Sequence, residues 1–284
     1  MRTDLSIIHK TITEAFADIG DSAANVLSAG EVAFFEKNGY LAGIDLLNRD
    51  QIEMLRMSLA RIMSPEMSGD TRFYEYNRNE SSDPAKVLFH ALGAWRVSEA
   101  FHDLVFLPRL AACFRQLLGG QPRFWHDQVF VKPAKDGAVV AWHQDYSYWT
   151  RTVPNAHITC WIGLDDSTVE NGCVHYVPGS HRWPLLPRGG LSDDMDSIFE
   201  YLREEQKAEF KPVAIELMAG QASFHHSMMV HGSYENRSPR PRRAAVINVF
   251  RDGVRSDCDE ALLAGIPPIA RGEKIDGQFF PLLG

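Results

Sequence analysis

The chain has 284 residues, a formal net charge of −8 and 45% hydrophobic residues, which is enough apolar material for one large domain, or two small ones, with a substantial core. The negative charge, without any block of Lys and Arg, argues against nucleic acid or an anionic membrane surface as a partner. No apolar run approaches the roughly 20 residues of a membrane-spanning helix, and the first residues lack the cationic and apolar regions of a signal peptide.

Four cysteines are spread along the chain without a C-x-x-C spacing: Cys113, Cys160, Cys173 and Cys258. Unpaired thiols are typical of proteins in a reducing compartment. We therefore expect four free thiols and a cytoplasmic protein. The sequence as a whole specifies no oligomeric state.

The first 40 residues are predicted to contain two short helices. One is expected over residues 7–17, and a linker of small residues follows over 20–29. Ser28 and Glu31 have the spacing of a capping box at the start of the next helix, which Gly39 is expected to end.

Asp50 is expected to cap a further amphipathic helix, because apolar residues recur at helical spacing after it. Residues 66–86 are polar and irregular, and a loop of this length in a compact domain is often functional. A plain surface loop is the simpler interpretation; the alternative is a loop that covers a substrate, with Arg72 and Tyr74 as candidate contacts. Helical patterns resume over residues 86–118.

From residue 121 the pattern changes to short runs of β-branched and aromatic residues between turns. The predicted strands cover residues 124–131, 138–143, 157–164, 174–177, 213–217, 221–231 and 242–250. Such spacing predicts a sandwich or barrel, and we favour a jelly roll, mainly β with flanking helices. The expected organisation is a single domain with a helical N-terminal region (residues 1–120), a jelly-roll core (121–252) and a C-terminal extension (253–284). An insertion over 183–211 contains a short helical piece.

His143 and Asp145 lie two residues apart at the end of one predicted strand. Alternate residues of a strand point to the same face, roughly 6.5–7 Å apart, so this imidazole and carboxylate can converge on one metal ion. The pair matches two arms of the two-histidine, one-carboxylate triad that binds non-haem iron(II). Taken alone, it also fits a surface histidine beside a hydrogen-bonding aspartate.

A third group of residues follows later in the chain. His231 ends a predicted strand and precedes Gly232 and Ser233, and Arg242 comes eleven residues after His231. If residues 221–231 and 242–250 pair as an antiparallel hairpin, Arg242 returns beside His231. Its guanidinium and the Ser233 hydroxyl can then hold a carboxylate through paired hydrogen bonds.

The same patterns leave alternatives for these roles. His225 shares strand parity with His231 and competes as a ligand; we favour His231 because the turn and Arg242 follow it. The alternatives to Arg242 are Arg237, Arg240 and Arg243. The histidines expected to be hydrogen-bonded structural residues are His126, His157, His175, His181 and His226.

These residues together resemble the phytanoyl-CoA dioxygenase family of iron(II)- and 2-oxoglutarate-dependent oxygenases. The matching segments are Gly39-Tyr40-Leu41, His143-Gln144-Asp145, Asn171-Gly172, Pro178-Gly179-Ser180-His181 and His231-Gly232-Ser233, with Arg242 at the expected distance. The resemblance implies a double-stranded β-helix (cupin-like) core with His143, Asp145 and His231 as iron(II) ligands. It also implies Arg242 on the distal carboxylate of 2-oxoglutarate, O2 as the oxidant and a small-molecule substrate.

The resemblance implies further roles in the predicted core. Trp161 matches a tryptophan near the co-substrate, and Trp149 matches a tryptophan of the substrate pocket in ectoine hydroxylases. Gln128 is a candidate co-substrate contact, although the substrate contacts of these relatives cannot be carried over to the strand that carries His126, Gln128 and Phe130. The substrate itself is expected to depend on loops 66–86 and 183–211.

Two other functional classes remain open. One is a cupin-like metal-dependent dioxygenase or isomerase without 2-oxoglutarate, against which Arg242 argues. The other is a non-enzymatic ligand-binding jelly roll, which has no need of the His-x-Asp and His set. Because halogenases of the wider group resemble their relatives but have a small residue in place of the carboxylate ligand, Asp145 predicts oxygenation or desaturation rather than halogenation.

Overall fold

Two antiparallel β-sheets form the core of the protein, in a computed structural model that describes residues 3–17, 26–191 and 194–284. The strands are β1 Tyr40–Asp45, β2 Glu75–Asn77, β3 Phe89–Leu92, β4 Pro122–Lys132, β5 Val140–His143, β6 Thr152–Val153, β7 His157–Gly163, β8 Val174–Tyr176, β9 Val213–Ile215, β10 Gln221–His226, β11 His231–Ser233, β12 Arg242–Arg251 and β13 Arg255–Ser256. The helices are α1 Ala29–Asn38, α2 Arg49–Ile62, α3 Glu99–Val105, α4 Pro108–Leu118 and α5 Glu204–Glu209.

The large sheet has seven strands in the order β1-β10-β7-β12-β4-β3-β2, and the small sheet has four in the order β5-β11-β8-β9. Two sheets that face each other across a ligand cavity form the double-stranded β-helix, so the predicted fold class is confirmed. Helices α1 to α4 flank the large sheet, and their apolar faces share its main hydrophobic core. None of the helices in the described ranges is long and apolar enough to cross a membrane.

The N-terminal third contains less helix than predicted. In place of one helix over residues 7–17, this part of the chain has two 3₁₀ turns, Leu5–Ile7 and Glu14–Phe16. Residues 20–25 of the expected linker lie outside the described ranges. The capping box of Ser28 and Glu31 is present, and Gly39 ends α1 in the left-handed conformation.

Two further expectations for this third are wrong. The N-cap of α2 is Asn48, which exchanges hydrogen bonds with Gln51, so Asp50 lies in the first turn. In the predicted helical stretch 86–118, Phe89–Leu92 is a strand buried on both faces between β2 and β4. Partners on both sides stabilise an apolar run as a strand, and periodicity alone does not distinguish such a run from a buried helix. Through strands β1 to β3, the N-terminal region thus contributes to the large sheet.

The predicted strand 221–231 divides into two strands of different sheets. Strand β10 pairs with β1 and β7, whereas β11 pairs with β5 and β8. A turn closed by the hydrogen bond from Met229 N to His226 O, 2.7 Å long, carries the chain from one sheet to the other. The predicted hairpin between residues 221–231 and 242–250 is therefore wrong, because β12 pairs with β4 and β7.

Two of the sequence segments that carried the resemblance pack against each other. A side chain at Gly39 would overlap the imidazole of His181. The backbone N–H of Gly179 also donates to Asn38 O at 2.9 Å. The glycine that ends α1 and the Pro-Gly-Ser-His turn are thus one contact, which holds the first helix against the end of the sandwich.

The C-terminal extension folds back on the large sheet. The backbone N–H of Leu283 donates to Pro122 O at 3.0 Å, and the Arg123 guanidinium donates to Phe280 O at 2.6 Å. Phe280 is buried and stacks on Trp125. The extension brings residues 261–264 to the mouth of the cavity between the sheets.

Candidate metal and co-substrate site

Two histidines lie side by side on neighbouring strands of the small sheet. His143 on β5 and His231 on β11 are register partners, and their rings are 4.2 Å apart between centroids. The Nδ1 atom of His143 lies 2.7 Å from Ala141 O, and that of His231 lies 3.0 Å from Met229 O. A carbonyl oxygen accepts only from a protonated nitrogen, so both rings present a bare Nε2, the form that binds metals.

Asp145 completes the group. The strand ends at His143, and Asp145 begins a 3₁₀ turn, Asp145–Tyr148, which differs from the predicted strand position. The intervening Gln144 keeps an extended backbone, so the two side chains still share a face. The Oδ1 atom of Asp145 is 3.5 Å from His143 Nε2 and 3.7 Å from His231 Nε2.

The three ligand atoms all lie within 4.8 Å of one another, close enough to share one metal ion. Burial by itself raises the pKa of a carboxyl group, but the imidazoles of His231, His143 and His225 lower the pKa of Asp145 well below its usual range. Burial lowers the pKa of His231, which keeps its ring neutral. A carboxylate beside two imidazoles is a ligand set that suits iron(II).

The other oxygen of Asp145 is held by the large sheet. Its Oδ2 accepts from Thr159 Oγ1 at 2.6 Å and from His225 Nε2 at 3.0 Å. The Nδ1 atom of His225 then accepts from the hydroxyl of Tyr176, 2.9 Å away. Both ring nitrogens of His225 are thus engaged, so it orients the carboxylate and does not replace His231 in the group.

Arg242 lies in the same cavity as these three residues. It is 2% exposed, and its Cζ lies 5.3 Å from the centre of the Trp161 ring. Within the described ranges its Nε and Nη1 atoms have no hydrogen-bond partner, and burial lowers its pKa to about 10. A buried guanidinium without an anion is costly, so this pocket fits a carboxylate ligand such as the distal end of 2-oxoglutarate.

A second buried cation, Lys132, stands opposite Arg242 on β4. Its Nζ donates to Ser233 Oγ at 2.6 Å, to Ser233 O at 3.2 Å and to Tyr234 O at 2.5 Å. Burial, and then the charge of Arg242, lower the pKa of Lys132 well below its usual range. Because Lys132 occupies a lone pair of Ser233 Oγ, the hydroxyl proton of Ser233 remains available for an anion beside Arg242.

Comparison with known proteins agrees with this geometry. The family model described as phytanoyl-CoA dioxygenase (PhyH) matches residues 35–244. The chain belongs to the phytanoyl-CoA dioxygenase family. It is an iron(II)- and 2-oxoglutarate-dependent oxygenase. The two other classes left open by the sequence were a cupin-like enzyme without 2-oxoglutarate and a non-enzymatic binding protein, and membership of this family decides against both.

Individual relatives differ in what they act on. The peroxisomal phytanoyl-CoA dioxygenase of Rattus norvegicus is 24% identical over 232 residues, 78% of this chain and 67% of its own length. The ectoine dioxygenase of Bordetella parapertussis is 28% identical over 244 residues, 80% of this chain and 75% of its own length. A carbocyclase, SnoK from nogalamycin biosynthesis, has the same fold with a TM-score of 0.75 and 23% identity, and the match covers 93% of this chain and all of SnoK.

The alternatives to Arg242 lie elsewhere. Arg243 points away from the cavity to Asp165, with its Nη2 at 2.7 Å from Oδ1, because neighbouring residues of β12 face opposite sides. Arg237 and Arg240 are exposed in the loop before β12. Of the four arginines, Arg242 is the one that lines the cavity of this family member.

A cavity of about 560 Å³ connects the metal group to solvent. Of the predicted co-substrate and substrate contacts, Trp161, Trp149, Gln128 and Tyr74 line it, and so does Ser233. Arg72 is not among the lining residues, because its guanidinium is paired with Asp70 at 2.6 Å and bonds Thr3 O.

Loops and one short strand form the outer part of the cavity. Glu75, the first residue of β2, and Glu80 come from the stretch 66–86, which was predicted to be a loop throughout, and residues 188–191 come from insertion 183–211. A third segment, 261–264, was missed from the sequence; Arg151 holds it by donating to Ala261 O and Leu262 O, both at 2.8 Å. Because this segment has no special composition, only the fold reveals it.

Several side chains of the two sheets that lie at or near the site were also missed. His126 was assigned a structural role, yet it lines the cavity. Thr159, Tyr176 and Asn248 were not singled out. The signal for them is a polar residue in the middle of an otherwise apolar strand, as Thr159 is in β7 and Asn248 is in β12, since a buried polar group needs a partner.

Proposed function

We propose that this oxygenase hydroxylates a C–H bond of a small organic molecule. His143, Asp145 and His231 are the ligands of its iron(II), and Arg242 and Ser233 hold the distal carboxylate of 2-oxoglutarate. The single observation that carries this assignment is the unpartnered, buried guanidinium of Arg242 in the cavity that also contains the three ligand atoms.

Residues around the proposed ligands fix the orientation of the two histidines, of Asp145 and of the carboxylate pocket. The backbone carbonyls of Ala141 and Met229 fix the tautomer of the two histidines. Thr159 and His225 hold one oxygen of Asp145, so the other oxygen stays directed at the metal position. Arg242 and the Ser233 hydroxyl, the latter oriented by Lys132, select a co-substrate with a carboxylate at its far end.

When bound, iron(II) and 2-oxoglutarate activate O2 and oxidise the substrate, with succinate and CO2 as co-products. Trp149 and Trp161 surround the reacting region with apolar surface that excludes bulk water. The cavity volume of about 560 Å³ is in the range of pockets that enclose small molecules. The relatives named for phytanoyl-CoA and ectoine indicate how widely substrates vary within the family.

The test is succinate formation from 2-oxoglutarate, measured with and without iron(II) and with a panel of small molecules. We expect iron-dependent succinate in the absence of substrate and a faster rate with molecules that fit the cavity. The matched control is His231→Ala, which should form none. Succinate formation that does not depend on iron(II) or on His231 would contradict the assignment.

We also propose that residues 1–284 act as one catalytic domain in the cytoplasm. The contacts of the extension 253–284 with β4, and its residues at the cavity mouth, support a single unit. The four cysteines are free thiols, which supports a reducing compartment. Limited proteolysis that released a stable 1–252 fragment with full activity would contradict the single unit.

A further inference from the structure

A row of four polar side chains crosses the large sheet beneath the metal group. His225 on β10 is the register partner of Thr159 on β7, Thr159 is that of Asn248 on β12, and Asn248 is that of His126 on β4. All four are buried. The row links Asp145 to His126, which lines the cavity two strands away from Thr159.

The protons in this row have one consistent order. The ionised carboxylate of Asp145 only accepts, so the contact of 2.6 Å with Thr159 Oγ1 uses the single hydroxyl proton of Thr159. Asn248 lies 2.9 Å from the same Oγ1 and must therefore donate to it with its NH2 group. The oxygen and the nitrogen of a carboxamide can exchange positions without any other change, and the hydrogen bonds decide between the two arrangements. With the NH2 group on Thr159, the Asn248 carbonyl oxygen is directed to His126.

The carbonyl oxygen of Asn248 fixes the tautomer of His126. The Nδ1 atom of His126 lies 3.2 Å from the Asn248 amide and must carry the proton that the carbonyl accepts. Burial lowers the pKa of His126 to about 3, so the ring is neutral and its other nitrogen is bare. Among the side-chain hydrogen bonds of the described residues, the one that involves the His126 ring is at Nδ1, which leaves Nε2 for a ligand in the cavity that His126 lines.

We propose that His126 Nε2 accepts a hydrogen bond from the substrate, and that the substrate is therefore a molecule with a hydroxyl or N–H donor several bonds from the oxidised carbon. The inference rests on the proposed function only in calling the bound molecule the substrate. Neighbouring strands are about 4.8 Å apart, so His126 stands roughly 10 Å along the sheet from Thr159. The indole of Trp149 packs against His126, 5.5 Å between ring centres, and offers an apolar surface to the same part of the ligand.

The first measurement is the tautomer itself. Nitrogen-15 NMR of the protein with labelled histidine, loaded with zinc(II) and 2-oxoglutarate, distinguishes the protonated from the bare nitrogen of each neutral ring. We expect His126 to be protonated at Nδ1, with its signals identified by their loss in His126→Phe. A proton on Nε2 overturns the proposal.

The second measurement compares two probes of one shape, indole and benzofuran, of which only indole has an N–H donor. Both would be titrated calorimetrically into the zinc(II)- and 2-oxoglutarate-loaded protein. We expect indole to bind about tenfold more tightly, although benzofuran is the less polar molecule and burial alone favours it. Indole that binds no more tightly than benzofuran overturns the proposal, including the case in which neither binds.

A matched control is available for His126→Phe. His157 is equally buried and burial lowers its pKa to about 3 as well, but its Nε2 is bonded to Thr152 and it does not line the cavity. The indole preference should disappear in His126→Phe and persist in His157→Phe. Neither measurement requires turnover, so their failure is distinct from a failure of the succinate test.

Discussion

The inner and outer ends of the cavity are built differently. At the inner end, His143, His231 and Arg242 stand on strands and His225 and Thr159 hold Asp145 in place, so each group has a fixed direction. At the outer end, the lining comes from segments 66–86, 188–191 and 261–264, which lie mostly outside the two sheets. Chemistry that is common to a family requires rigid geometry, whereas loops can change with the substrate. We therefore expect that substitutions at one end of the cavity leave the other end unchanged.

The largest expected effect is on the metal at the inner end. His231→Ala should abolish measurable iron(II) binding and succinate formation, because two remaining ligands hold the ion weakly. His225→Gln, which alters the group behind Asp145, should weaken iron(II) binding only by about 10- to 100-fold. Anaerobic calorimetric titration of both variants checks this. Equal loss in the two would mean that His225 is itself a ligand.

The next effect is on the co-substrate. Arg242→Ala should weaken 2-oxoglutarate binding by about 2–4 kcal/mol, because it removes a charge-assisted contact in a desolvated pocket, and iron(II) binding should survive. Arg243→Ala is the control, since Arg243 is paired with Asp165. The KM for 2-oxoglutarate distinguishes them. A rise in Arg243→Ala alone would reverse the assignment of the two residues.

The third prediction concerns how the stability of the protein depends on pH through Asp127, on strand β4. Asp127 is buried and accepts from the backbone N–H groups of Gly93 and Trp95, next to β3, and burial raises its pKa to about 7. A raised pKa in the folded state means stability that is fully present below about pH 4 and is lost as pH rises through about 7. Over this window we expect the free energy of unfolding to fall by up to about 1.4 kcal/mol per pH unit through this group. Urea titrations at several pH values should show a flatter profile for Asp127→Asn; an unchanged profile would contradict the prediction.

The smallest effect is expected when segment 261–264, at the outer end of the cavity, is loosened. Arg151→Lys keeps the charge but loses the two guanidinium N–H groups that donate to the backbone carbonyls of Ala261 and Leu262. We expect the KM for a substrate to rise by about 3- to 10-fold, equivalent to one or two neutral hydrogen bonds, with no change for 2-oxoglutarate. The control is Arg255→Lys, which affects one bond to Gly272 in the same extension. A change in the KM for 2-oxoglutarate would show that the two ends are coupled.

The sequence could bring His143 and Asp145 together because their relation depends only on local spacing. His143 and Asp145 share a face across one extended residue, and this holds although the strand ends between them. Arg242, the arginine favoured among four for the co-substrate carboxylate, lines the cavity, but not for the reason that the sequence suggested. The expected hairpin does not exist, and Arg242 reaches the site because β12 faces the small sheet across the cavity.

Strand alternation and a few spacings in the sequence predicted the fold class, which is confirmed, and proposed the residues of a metal group and a co-substrate pocket. The folded chain was needed to show that His225 contacts Asp145, that Lys132 bonds Ser233, and that His126 lines the cavity. Each of these depends on which strands become neighbours. Register between strands distant in the chain is set by the packing of the whole core, and it cannot be derived from the pattern of any one segment.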